Sequence, residues 1–100
     1  MSINYNTRIV TTTPNTITLN DEVVFVNVAG PALIKLPSIS GDCDNHAFYI
    51  KDYSGLALTN PITITAPVGK TIDGVSFAIL NNGYAHIQVI YDGTNWKTIA

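Results

Sequence analysis

Glu, Gln and Met, three residues that favour helices, are nearly missing from this chain. It has one Glu (Glu22), one Gln (Gln88) and one Met (Met1) in 100 residues, which excludes a helical bundle or a coiled coil. Charge is scarce as well: 12% of residues are charged, about half the usual ~25%. With 46% hydrophobic residues the chain is too apolar to stay disordered. The five basic residues, Arg8, Lys35, Lys51, Lys70 and Lys97, form no run or stripe, and the net charge is -2. Nucleic acid and anionic membrane surfaces need a clustered basic footprint and are not expected partners. One cysteine, Cys43, allows no internal disulfide. Packing must therefore hold the fold, and synthesis in a reducing compartment is expected. There is no apolar run long enough for a transmembrane helix and no apolar segment after a basic start, so neither membrane insertion nor a classical signal peptide is expected.

What is abundant is β-branched: 13 Ile, 8 Val and 12 Thr, a third of the chain. These side chains are stiff at χ1 and suit pleated surfaces. The length fits one domain. Short apolar runs separated by turn residues predict about nine strands. The runs are 8–13, 16–19, 22–28, 32–36, 47–51, 62–65, a short 70–72, 75–80, 84–91 and 96–99. Turns are expected at Pro14-Asn15, Asn20-Asp21, Ala29-Gly30-Pro31, Asp52 to Gly55, Asn81-Asn82-Gly83 and Asp92 to Asn95. The expectation is an all-β, compact antiparallel domain of sandwich or barrel type over residues 7–100, with residues 1–6 as a polar arm or linker stub.

Some strands lack a polar side. In Glu22 to Val28, Val24, Val26 and Val28 share one face while Val23 and Phe25 share the other. In the next strand Leu33 opposes Ala32, Ile34 and Leu36. A lone antiparallel sandwich is apolar inside and polar outside. A short chain with two apolar faces per strand covers the second face most simply with another copy of itself. Val23, Phe25 and Leu33, with His86 as a polar group on its strand's wet face, are therefore candidate interface residues between copies.

Catalytic signatures are lacking. There is no Gly-x-Ser-x-Gly elbow and no phosphate-cradling glycine loop. Nearly all the acids fall in expected turns, where Asp caps backbone N–H groups. The cluster Asp42-Cys43-Asp44-Asn45-His46 has ligand character, but spacing alone does not make its donors converge, and no metal or cofactor is assigned. Aromatics beside amides and carboxylates suit sugar binding, through stacking and hydroxyl hydrogen bonds. The candidate ligand loops hold Asp42, Asp44, Asn45 and His46, then Tyr53, then Asn82 and Tyr84.

Four segments together carry a resemblance: Phe48 to Gly55 (FYIKDYSG), Thr59 to Thr65 (TNPITIT), Gly69 to Gly74 (GKTIDG) and Tyr91 to Trp96 (YDGTNW), preceded by Leu33-Ile34-Lys35-Leu36-Pro37. Over residues 16–99 the chain resembles the β-structured head module of viral and phage fibre, spike and tail-fibre-like virion proteins. That resemblance implies a homotrimer at the outer tip of a fibre or spike on the virion surface. It also implies a non-enzymatic role, attachment to a host receptor or glycan. In that family the module often ends a longer chain, so here a shaft is expected to be absent or to belong to another polypeptide. The alternative expectation is a capsid decoration or assembly protein that binds other virion proteins and no host ligand. A glycan hydrolase would need a carboxylate pair such as Asp42 and Asp44 and is the least favoured reading.

Overall fold

A computed structural model describes residues 5–39 and 46–99. Nine strands account for its regular structure: β1 (Thr7–Val10), β2 (Asn15–Thr16), β3 (Val23–Val26), β4 (Ala32–Lys35), β5 (Ala47–Asp52), β6 (Ile62–Thr65), β7 (Phe77–Leu80), β8 (His86–Tyr91) and β9 (Trp96–Ile99). The all-β class follows from the β-branched composition. Among the described residues no helix is long and apolar enough to cross a membrane.

The antiparallel expectation is corrected. The strands form two open mixed sheets, β1-β3-β5-β8-β9 and β2-β4-β6-β7, and neither closes into a barrel. The pairs β1·β3, β3·β5, β2·β4 and β4·β6 are parallel. Only β5·β8, β6·β7 and β8·β9 are antiparallel. From β1 to β6 successive strands alternate between the sheets, so the chain winds as a flattened coil and each turn lays one strand on each sheet. The remaining strands then fold back antiparallel. Most turn signals in the sequence are thus corners that pass the chain from one sheet to the other. Only Asp92 to Asn95 joins neighbouring antiparallel strands directly, with Asp92 N–H donating to Asn95 C=O at 3.0 Å.

Two expected strands shrink. The run 16–19 contributes only the end of β2, and Ile72 makes single bridges to Val75 and Trp96. The first becomes a corner because Arg8 holds it: its guanidinium donates to both Asp21 carboxylate oxygens (3.2 and 3.0 Å), to Asn15 Oδ1 (3.0 Å) and to Thr16 C=O (3.2 Å). A bidentate Arg–carboxylate pair is among the more specific polar contacts.

Alternation along each strand sorts residues by layer. Val10, Val24, Val26, Phe48, Ile50, Val89, Tyr91 and Trp96 from the first sheet meet Ala32, Ile34, Leu36, Ile62, Ile64 and Leu80 from the second in one buried cluster. Ile17, Ala57 and Ile72 plug it from the connections. Trp96 is fully buried between Phe48 (ring centroids 5.8 Å) and Tyr91 (5.2 Å).

Candidate functional site

The outer face of the five-stranded sheet follows from period 2 and the register. One row across it runs Thr7, Val23, Tyr49, Gln88, Ile99. The next runs Ile9, Phe25, Lys51, His86. An open cleft of about 290 Å³ lies between these rows, lined by Tyr5, Val23, Tyr49, Lys51 and His86. Tyr5 stands edge-on to Tyr49 at 6.4 Å between centroids. Tyr53 caps the neighbouring Phe25 edge-on at 5.8 Å. The Lys51 Nζ is clipped away from the cleft floor, donating to Tyr84 C=O at 2.6 Å. The cleft walls are therefore mainly apolar; among the described residues that line it, Lys51 and His86 are the ionisable groups besides the phenols, and none is a carboxylate.

Part of the expected arm belongs to this face. Asn6 accepts the backbone N–H groups of Glu22 and Val23 through its C=O (both 3.0 Å). Its own backbone N–H donates to Glu22 Oε1 at 2.8 Å, and its side chain donates to Asn20 C=O at 3.0 Å. Tyr5 is held beside Tyr49 by this docking.

The four expected interface residues separate. Val23, Phe25 and His86 share the face just described. Leu33 lies on the outer face of the other sheet, level with Thr63 and Ile79. Sequence reasoning passed over Tyr49 and Lys51, although their alternation with Phe48 and Ile50 in β5 places them on the same face. Tyr5 had no such signal, because its position depends on a contact between distant segments.

The expected ligand loops also separate. Asp52 ties Tyr84 to the Tyr53 end of the five-stranded sheet, and Asn82 lies in the same turn as Tyr84, its C=O accepting Ala85 N–H at 3.1 Å. The Asp52 carboxylate is buried and accepts the backbone N–H of Tyr84 (3.0 Å), the backbone N–H of Ala57 (3.0 Å) and the Ser54 hydroxyl (3.3 Å). Burial pushes its pKa up, but the N–H groups of Tyr84 and Ala57, the Ser54 hydroxyl and the Gly55 N–H together hold it below the ordinary 3.8. Gly55 is required here: its φ is +83°, and a Cβ would sit 2.6 Å from the Tyr84 ring. Tyr84 itself holds a left-handed φ of 59°. Both tyrosine rings remain exposed. His46 lies at the opposite end of β5, stacked on Phe48 at 6.4 Å between centroids. Asp42, Asp44 and Asn45, with Cys43, lie outside the described residues.

The remaining turn acids are occupied. Asp73 accepts the hydroxyl and the backbone N–H of Thr98, which, helped by Lys97, hold its pKa below 3.8 against a small burial effect. Asp92 accepts the N–H groups of Asn95 and Thr94 (both 2.9 Å), and its pKa is lowered for that reason. The chain matches no protein-family model and no curated protein.

Proposed function

We propose that this chain is a non-enzymatic virion surface protein, the head of a fibre or spike. In this reading it assembles as a homotrimer across the outer face of its five-stranded sheet. It attaches to a host receptor or glycan through the exposed end that carries Tyr53, Asn82 and Tyr84. One observation supports the assembly above others. Val23, Phe25, Tyr49, Ile90 and Ile99 crowd a face that a lone two-layer protein would keep polar. An exposed apolar patch of this kind is a common seat for association. Three copies would multiply a weak glycan contact, because linked sites raise effective concentration. The non-enzymatic reading is supported by the acids: Asp21, Asp52, Asp73 and Asp92 all have oxygens engaged by backbone N–H groups, with Arg8 also on Asp21.

Sedimentation at micromolar concentration tests the assembly, and a glycan array of the assembled protein tests attachment. The expected results are a three-chain mass that Val23→Lys reduces, and glycan signals lost in Tyr53→Ala/Tyr84→Ala. A single-chain mass for the unaltered protein would sink the trimer. The second reading, a capsid decoration or assembly protein, is favoured by a different observation, the open edge of the four-stranded sheet at β7.

A further inference from the structure

We infer that β7 is a self-pairing edge. It joins the β7 of a second copy antiparallel about a twofold axis centred on Ala78, and the two four-stranded sheets fuse into one of eight strands.

The backbone parity of β7 leads to this. In β6, Thr65 C=O accepts Leu36 N–H (2.9 Å) and Pro61 C=O accepts Ala32 N–H (3.1 Å), so odd-numbered residues turn their polar groups to β4. Even-numbered residues therefore face β7, as Ala66 N–H donating to Ser76 C=O at 3.0 Å also shows. The β6·β7 register pairs Ile64 with Ala78 and Ile62 with Leu80. Ala78 and Leu80 thus bond inward, and the N–H and C=O of Phe77 and Ile79 point out of the sheet. Among the described residues neither has a backbone or side-chain hydrogen-bond partner. Their side chains are also half exposed, at 46% and 47%.

The same parity makes the edge self-complementary. Placing Ala78 opposite its twin sets Phe77 against Ile79 of the second copy, and Ile79 against Phe77, as two fully hydrogen-bonded pairs. Each is an aromatic–β-branched pair on one continuous outer face, a favourable cross-strand combination. No charged residue or proline lies between Val75 and Gly83, so no like charges are brought together.

The other edges are unsuited to this pairing. The same twofold on β1 would oppose two Arg8 side chains. β2 has two residues. The edge of β9 is already covered: Trp96 exchanges hydrogen bonds with Thr71 C=O and Asp73 N–H, and Thr98 N–H is held by Asp73. Natural edges are normally blunted by charge, proline or a covering segment. β7 has neither charge nor proline, and among the described residues no segment covers it.

Pairing at β7 does not depend on how many copies meet across the five-stranded sheet. The test is mass against concentration for the unaltered chain, for Ile79→Lys, and for Ile79→Pro, which removes only an outward N–H. Both variants should keep the unaltered melting behaviour and halve the assembled mass at high concentration. In a Cys43→Ser background, Ala78→Cys should form a covalent two-chain species on mild oxidation, because opposed non-hydrogen-bonded residues approach within disulfide range. Equal masses for all three proteins would overturn the pairing. Halved mass with no covalent species from Ala78→Cys would overturn the twofold register. Loss of mass in Val23→Lys while Ala78→Cys still crosslinks would support the β7 pairing as separate from association across the five-stranded face.

Discussion

The two sheets share one core but carry their surplus apolar surface differently. On the five-stranded sheet it lies across the middle of the outer face, on β3, β5 and β8, and frames an apolar cleft. On the four-stranded sheet the middle is polar: Thr63 and Thr65 occupy the outer face of β6, and Lys35 lies beside them. The hollow there, about 420 Å³, has a mixed lining: Thr16, Lys35, Ser38 and Thr65 with Leu36, Ala66, Pro67 and Val68. Apart from Leu33 on β4, its outer-face apolar residues lie at the edge, at Phe77 and Ile79. A central apolar patch can only be covered face to face. Apolar residues on an edge come with unpaired backbone groups and can be covered by another strand.

Both sheets rest on the same buried core, and damage to it should have the largest effect. Trp96→Ala deletes a fully buried ring shared by β5, β8 and β9, and should cost about 3–5 kcal/mol, enough to unfold much of the population by urea titration. If the loss is under about 1 kcal/mol, the sheets do not depend on this ring. Next is Asp52→Ala, which strands the N–H groups of Tyr84 and Ala57 at the end of the five-stranded sheet. A loss of about 2–4 kcal/mol is expected in the same titration, with the Tyr53–Tyr84 end loosened in hydrogen exchange while β7 is unaffected.

Acid sharpens the contrast further. Asp52, Asp73 and Asp92 have folded pKa values below the ordinary 3.8. Each group therefore contributes stability that is fully present above its unfolded pKa and is lost as pH falls through the lower folded value. The urea midpoint should be flat from neutral pH down to about 5 and drop below about 4. Asp52→Asn should shallow that drop, since its carboxylate is the buried one of the three. Asp52 and Asp92 lie at the ends of five-stranded-sheet strands, and Asp73, in the β6–β7 connection, is tied to β9 through Thr98, so acid should weaken these ends of the five-stranded sheet first. The smallest effects on folding belong to the outer faces. Val23→Lys and Thr63→Lys should each change stability by less than about 1 kcal/mol. Only the first should lower the assembled mass.

How far the sequence could be read depended on the range of the interaction. Alternation in Val23-Val24-Phe25-Val26 and in Ile62-Thr63-Ile64-Thr65 assigned inner and outer faces correctly, because a side chain's side of a sheet is set by its immediate neighbours. The Asp92 turn was equally local. Strand partners were not. The coil places Thr7, Val23 and Tyr49 side by side, steps of 16 and 26 residues. Steps that unequal leave no repeat to detect, and Gly, Pro and Asn mark a corner between sheets in the same way as a hairpin. The cleft needed Tyr5 to reach Tyr49, and no periodicity connects residues 44 positions apart.

Composition and alternation by themselves determined an all-β chain with apolar side chains to spare on both strand faces, since β-branched stiffness and period 2 act within a few residues. Only the tertiary structure decided that the early strands run parallel and alternate between sheets. It also decided that Leu33 parts from Val23 and Phe25, and that β7 ends a sheet with the outward N–H and C=O groups of Phe77 and Ile79 unpaired among the described residues. These outcomes depend on which distant segments close against each other, and that choice is made by packing one shared core.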